Sequence, residues 1–216
     1  MVAIPIKPEY GPTLGRLLSP RWRASSPLAR GAVIAAAVGL VVLALAAALT
    51  LENASFSHSG KVPFSFSYRN LYRVPPDPGG YVKVQRRNGD GRLEDSFAVE
   101  PLQLPAYSGA LSGELPLYAE GYIRGIRKRY AHFALRGEGK TRVNTVPAYS
   151  VMYIAVVEGH RVYGRDVLLL PERAGAREGV DIVMLTSPKA NRQVTSPLAV
   201  ATTGILQRPL RTFTLG

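Results

Sequence analysis

The uncharged run from Gly31 to Leu51 constrains this chain more than any other stretch. It is 21 residues of Ala, Val, Leu, Ile and Gly, and Thr50 is its only polar side chain. A helix rising about 1.5 Å per residue needs roughly 20 residues to cross a hydrocarbon core. A helix also satisfies its own backbone groups, which an irregular segment in lipid cannot do. A helix buried in a globular core would show a polar stripe, and this one is apolar on every face. A cleaved signal peptide would end in small residues, and Ala46-Ala47-Ala48 offers such a site. The apolar run is long for a signal peptide, however, and 30 residues precede it. The expectation is one uncleaved transmembrane helix over 31–51.

The flanks orient it. Lys7, Arg16, Arg21, Arg23 and Arg30 precede the run against the single acid Glu9, whereas Glu52, Asn53 and His58 follow it and Lys61 is the first basic residue beyond. Lys and Arg are retained on the cytoplasmic side. The N-terminus is therefore expected inside the cell membrane and the C-terminal domain outside it. Residues 1–30 carry Pro5, Pro8, Pro12, Pro20 and Pro27, which break helical periodicity, and read as a disordered basic cytoplasmic tail. Residues 52–61 read as a polar linker, and 62–216 as one extracytoplasmic domain.

A domain of that size buries a core without staples. It has to, because the chain has no cysteine, so disulfides, thiolate nucleophiles and thiolate metal sites are excluded. The net charge is +12, of which the tail and anchor carry +4 and the domain +8. A basic surface suits anionic partners. Outside the membrane these are lipid head groups or acidic envelope polymers, and nucleic acid is not expected.

Val62, Phe64, Phe66 and Tyr68 alternate with polar residues and predict a first strand. Tyr81 to Val84 predicts a second, Asn88-Gly89-Asp90-Gly91 a hairpin, and Leu93 to Val99 the returning strand. Gly109 to Pro116 reads as a loop into a helix over Leu117 to Phe133, where Tyr118, Tyr122, Ile126, Tyr130 and Phe133 share one face. That aromatic stripe is read as core contact rather than a stacking platform. The opposite face holds Arg124, Arg127, Lys128 and Arg129, the one candidate binding patch. Four further segments, Arg142 to Val146, Tyr149 to Val157, Val162 to Leu170 and Val180 to Leu185, predict an antiparallel meander, and Thr195 to Gln207 a closing helix.

Motifs for chemistry fail on context. Gly139-Lys140-Thr141 has Ala134 where a phosphate-binding loop needs its first Gly. Asn88 to Leu93 resembles part of a calcium loop, but Arg86 and Phe97 occupy its first and twelfth positions. His58, His132 and His160 share no ligand spacing, and Asp166 and Asp181 find no sequence partner in Glu94-Asp95. Ser150, Ser187 and Ser196 lack a nucleophile elbow. No catalytic residue, cofactor or metal site is assigned.

The opening Val62-Pro63-Phe64-Ser65-Phe66-Ser67-Tyr68, followed by a hairpin, an amphipathic helix and Arg142-Val143-Asn144-Thr145-Val146-Pro147-Ala148-Tyr149, resembles the PsbP/Mog1-like domains. Arg69 stands where those domains usually have Pro, and Thr145-Val146 replaces a single Gly. The resemblance covers roughly residues 62 to 213 and implies an α+β fold, an α/β/α sandwich around a central antiparallel sheet, used as a non-catalytic binding or adaptor module. The expected whole is a single-pass protein of the bacterial cell envelope that meets membrane lipid through its helix and an anionic envelope component or protein partner through its domain. An envelope hydrolase acting on a cell-wall or lipid substrate is the alternative; it would need His132 or His160 beside a carboxylate and a serine.

Overall fold

The computed structural model describes residues 26–50, 54–104, 111–171 and 177–216, with side chains throughout except at 29–30, 44–50 and 111–112. The chain divides into two units, Met1–Leu51 and Glu52–Gly216. Most of the basic tail and residues 51–53, 105–110 and 172–176 lie outside the described residues.

In the first unit, helix α1 is Pro27–Thr50, 24 residues long, about 36 Å at 1.5 Å per residue. Ser26 and Pro27 suit its start, a cap-type residue followed by the one imino acid a first turn tolerates. Val33, Ile34, Val38, Leu40, Val41, Val42 and Leu43 are all more than half exposed. These positions circle the helix. Among the described residues no helix is long and apolar enough to cross a membrane.

The second unit is built on a seven-stranded antiparallel sheet in the order β3-β4-β5-β9-β8-β7-β6. Its strands are β3 (Tyr72–Val74), β4 (Val82–Arg87), β5 (Leu93–Gln103), β6 (Ala131–Val143), β7 (Val146–Val157), β8 (His160–Leu169) and β9 (Glu178–Thr186). A second sheet of three strands has β2 (Phe64–Tyr68) between β1 (Ala54–His58) and β10 (Thr214–Leu215). Helix α2 is Leu111–Arg129; a 3-10 turn at Pro197–Ala199 and a short α3, Gln207–Arg211, complete the unit.

Alternation sends side chains to two faces of the large sheet. One face gives Val84, Phe97, Val99, Val167, Ile182 and Met184 to a core shared with Phe64, Phe66 and Phe213 of the small-sheet region. The other gives Leu102, Val151, Tyr153, Ala155, Leu168 and Leu185 to a core under Leu115, Ala119, Ile123 and Ile126 of α2.

The α+β class and antiparallel sheet match expectation, with differences that have local causes. Helix α2 starts earlier than Leu117: Pro116 lies inside it, in the second turn, where its ring removes one backbone hydrogen bond, and buried Leu115 holds that turn against the core. It stops at Arg129 rather than Phe133 because His132 takes the left-handed conformation (φ 50°), which turns the chain into β6. Ala54–His58, expected in the linker, pairs with β2 in full register. Gly204, at a positive φ, separates the 3-10 turn opened by Pro197 from the short α3, so the expected closing helix is two short pieces and the face opposite α2 is covered by the three-stranded sheet rather than a second long helix.

Candidate functional site

Helix α2 covers only part of its sheet face. Over β4, β5 and β9 the sheet forms the floor of an open cleft of about 540 Å³. Ser96, Ala98, Val183 and Leu185 make the floor; the Asp77–Gly80 loop, the β7–β8 turn at Val157 and Glu158, and Arg129 and Tyr130 at the end of α2 make the walls. The pleat explains this, since these floor positions alternate with the core positions Phe97, Val99, Ile182 and Met184.

Three ion pairs ring the cleft. Lys83 Nζ lies 3.0 Å from Asp77. The Arg87 guanidinium holds both oxygens of Glu158 at 2.7 and 2.9 Å, a bidentate pair. That hydrogen bond keeps Glu158 below the usual carboxylate range. Arg129 sits 3.4 Å from Glu100. Each cation has an acid, so the rim offers fixed donors and acceptors around an apolar floor rather than an unopposed positive field.

Behind the Arg129 wall lies a buried polar cluster. In the β8–β9 register Asp181 opposes Leu168 and Val183 opposes Asp166, so the two aspartates are diagonal neighbours on the α2 face. Diagonal positions are roughly 7–8 Å apart, room for one oxygen atom between two carboxyl groups. Tyr122 of α2 supplies it: its hydroxyl is 2.8 Å from Asp166 Oδ2 and also bonded to Asp181 Oδ2. Tyr153 of β7 donates to Asp166 Oδ1 at 3.0 Å. Its ring lies over Gly164, where a Cβ would collide with it. Glu100 stands directly opposite Asp181 across β5–β9.

Among the described residues no cation pairs with either aspartate. Burial raises Asp166 to about 7 despite the two tyrosine hydrogen bonds, and burial with the neighbouring Asp166 charge raises Asp181 well above the carboxylate range. Burial, reinforced by the carboxylates, also holds Tyr122 and Tyr153 well above the ordinary phenol range.

The four basic residues proposed from sequence have separate surroundings on α2. Arg124 pairs with Glu120 at 2.7 Å one helical turn away, in solvent. Arg127 lies 6.0 Å from the centre of the Phe133 ring, and Lys128 is exposed. Only Arg129 reaches the cleft. The stripe Tyr118, Tyr122, Tyr130 and Phe133 packs against the α2 core as expected, but the hydroxyl of Tyr122 has a polar task that spacing did not show. The sequence did carry a sign of the aspartates: each interrupts an apolar strand at a core-facing position, in Val180-Asp181-Ile182 and Asp166-Val167-Leu168. Among the described residues no group of three or more His, Asp or Glu is placed to hold a metal ion.

No family model matches the sequence, and no curated protein matches it. Solved structures do resemble the fold. Cyanobacterial PsbP (CyanoP) from Synechocystis superposes with a TM-score of 0.50 at 12% identity, over 77% of this chain and 94% of that one. LpqN of Mycobacterium tuberculosis, described as involved in cell envelope biogenesis, gives 0.50 at 7% identity, over 75% and 90%. At such identities the likeness is one of fold, a mixed α+β architecture of the PsbP type.

Proposed function

We propose that this chain is a single-pass, membrane-anchored binding or adaptor protein of the bacterial cell envelope, with its PsbP/Mog1-like domain held outside the membrane. The observation that carries the reading is helix α1, whose described apolar side chains are bare on every side, while the domain that follows has its own complete cores. A helix with that surface needs a nonpolar surrounding, and lipid is the surrounding that suits all of its faces at once. The basic flank ahead of it sets the direction. The envelope role described for LpqN agrees with this address.

The cleft beside Arg129 is the binding surface of the reading. Fixed ion pairs around an apolar floor suit recognition, because they position donors and acceptors without rearrangement. The rim is charge-balanced, so the ligand fitting it is itself polar and near-neutral at this point, and anionic lipid is left to the basic tail. The hydrolase alternative draws support from the raised carboxyl pair, since displaced titrations often mark catalytic groups. Asp166 and Asp181 are 1% and 3% exposed, however, and a substrate bond does not reach them while α2 is docked.

Protease added to intact spheroplasts tests the reading. The expected result is a full-length, membrane-bound chain whose C-terminal domain is digested from outside. Protection of the domain would move it to the cytoplasm and end the envelope reading. A shorter, freely released chain would replace the anchor with a cleaved leader.

A further inference from the structure

The contacts of Tyr122 pose a question of hydrogen count. A phenol carries one hydrogen, yet this hydroxyl lies in hydrogen-bond contact with a carboxyl oxygen of Asp166 and with one of Asp181. It donates to one of them. The other contact needs a hydrogen from the carboxyl side, since two oxygens without one between them repel. We assign Asp166 as the acceptor of the pair, because a carboxylate that also accepts from Tyr153 is the better stabilised of the two. Asp181 is then the donor: Asp181 O–H to Tyr122, Tyr122 O–H to Asp166. Consistent with this, the second oxygen of Asp181 has no partner among the described residues.

We propose that Asp181, Tyr122 and Asp166 form a proton-binding site whose occupancy keeps helix α2 docked on the sheet and so sets the width of the neighbouring cleft. The site bridges two elements: the aspartates belong to β8 and β9, and the phenol to α2. Losing its proton places a second full negative charge in the same dry space, beside Glu100 on β5 and facing Tyr118 and Tyr122 on α2 and Tyr153 on β7. Arg129 is the nearest cation, and it is engaged with Glu100. Water is the remaining means of stabilising the charge, and water enters only if α2 lifts. Arg129 and Tyr130 form the cleft wall at the end of α2, so the wall moves with it. Asp166, raised to about 7 by burial, places the event around neutral pH, with Asp181 raised as well, whereas the buried phenols stay protonated donors.

Hydrogen exchange of the full chain in detergent micelles, read by mass spectrometry at about pH 5 and about pH 8 and corrected for base catalysis, tests this without any ligand. In the wild type, α2 peptides lose protection roughly tenfold or more between the two conditions, while β7 and β8 peptides keep theirs. In Asp181→Asn, whose amide donates to Tyr122 without charge, α2 protection is the same at both. An unchanged wild-type α2, or a variant that responds like the wild type, overturns the proposal. Should the variant not fold, a carboxyl carbon-13 titration of the wild type decides: an aspartate still protonated near neutrality supports the site, and ordinary acidic titration of every aspartate sinks it.

Discussion

On one face of the seven-stranded sheet Phe66 packs against Phe97 and Phe213 at ring separations of 4.9 and 6.2 Å; on the other, two aspartates lie under a helix with only tyrosines to bond them. Both faces bury an acid. Asp95, on the aromatic face and fully buried, has the Arg86 guanidinium at 2.8 Å and the Thr186 hydroxyl as partners. Asp166 and Asp181, equally buried, have phenols and each other. A paired cation lets an acid stay ionised in the interior, whereas a phenol only shares a hydrogen with it. The first face therefore answers its acid with a fixed positive charge, and the second answers its two acids with shared hydrogens.

The comparison breaks most sharply at the aromatic core. Phe66→Ala removes a ring at the centre of five aromatic contacts and should cost about 3–5 kcal/mol in chemical denaturation, equally at acid and neutral pH. A loss below about 1 kcal/mol would show that the small sheet packs loosely. Gly164→Ala attacks the other face by steric means alone. Its methyl group meets the Tyr153 ring and drives that hydroxyl from Asp166, at about 1–3 kcal/mol by the same assay. Arg86→Ala leaves Asp95 buried without its cation and should cost about 1–3 kcal/mol.

Asp181→Asn runs the other way. Unfolded Asp166 titrates near 3.8 and the folded group near 7, so between these values the folded state holds a proton that the unfolded chain has released. Stability from the pair is fully present below about pH 4 and is lost as pH rises toward about 7, with Asp181 extending the loss further. The variant should match the wild type at about pH 4 and exceed it by on the order of 1 kcal/mol at about pH 8, by thermal or urea denaturation. A variant weaker at both would mean that the carboxyl is needed for packing. Smallest of all is Arg124→Ala, an exposed helix pair expected to change stability by less than about 0.5 kcal/mol. A larger loss would revive the solvent-facing side of α2 as a contact surface.

Much of the large sheet was legible in the sequence because strands with one polar and one apolar face announce themselves by period. Tyr149 to Val157 and Val180 to Leu185 fall where the alternation put them. Strand β6 was missed over most of its length. It is an edge strand whose Arg136, Glu138, Lys140 and Arg142 are exposed, so it lacks an apolar face to detect, and such charges are how an open edge resists stray pairing. The cleft was invisible for another reason: its ion pairs join residues as far apart as Arg87 and Glu158, and only strand order brings them together.

What the sequence determined alone is local: an uncharged helix with a basic flank, strand periods, turn residues and an α2 with one apolar face. These rest on backbone geometry and on the nature of neighbouring side chains, which a linear chain already contains. What the tertiary structure decided is which acids meet. Asp166 and Asp181 are harmless interruptions of two strands until antiparallel register makes them diagonal and α2 lays Tyr122 between them. Register is a property of pairing, and burial a property of what packs on top, so the proton they share belongs to the fold rather than to any stretch of the chain.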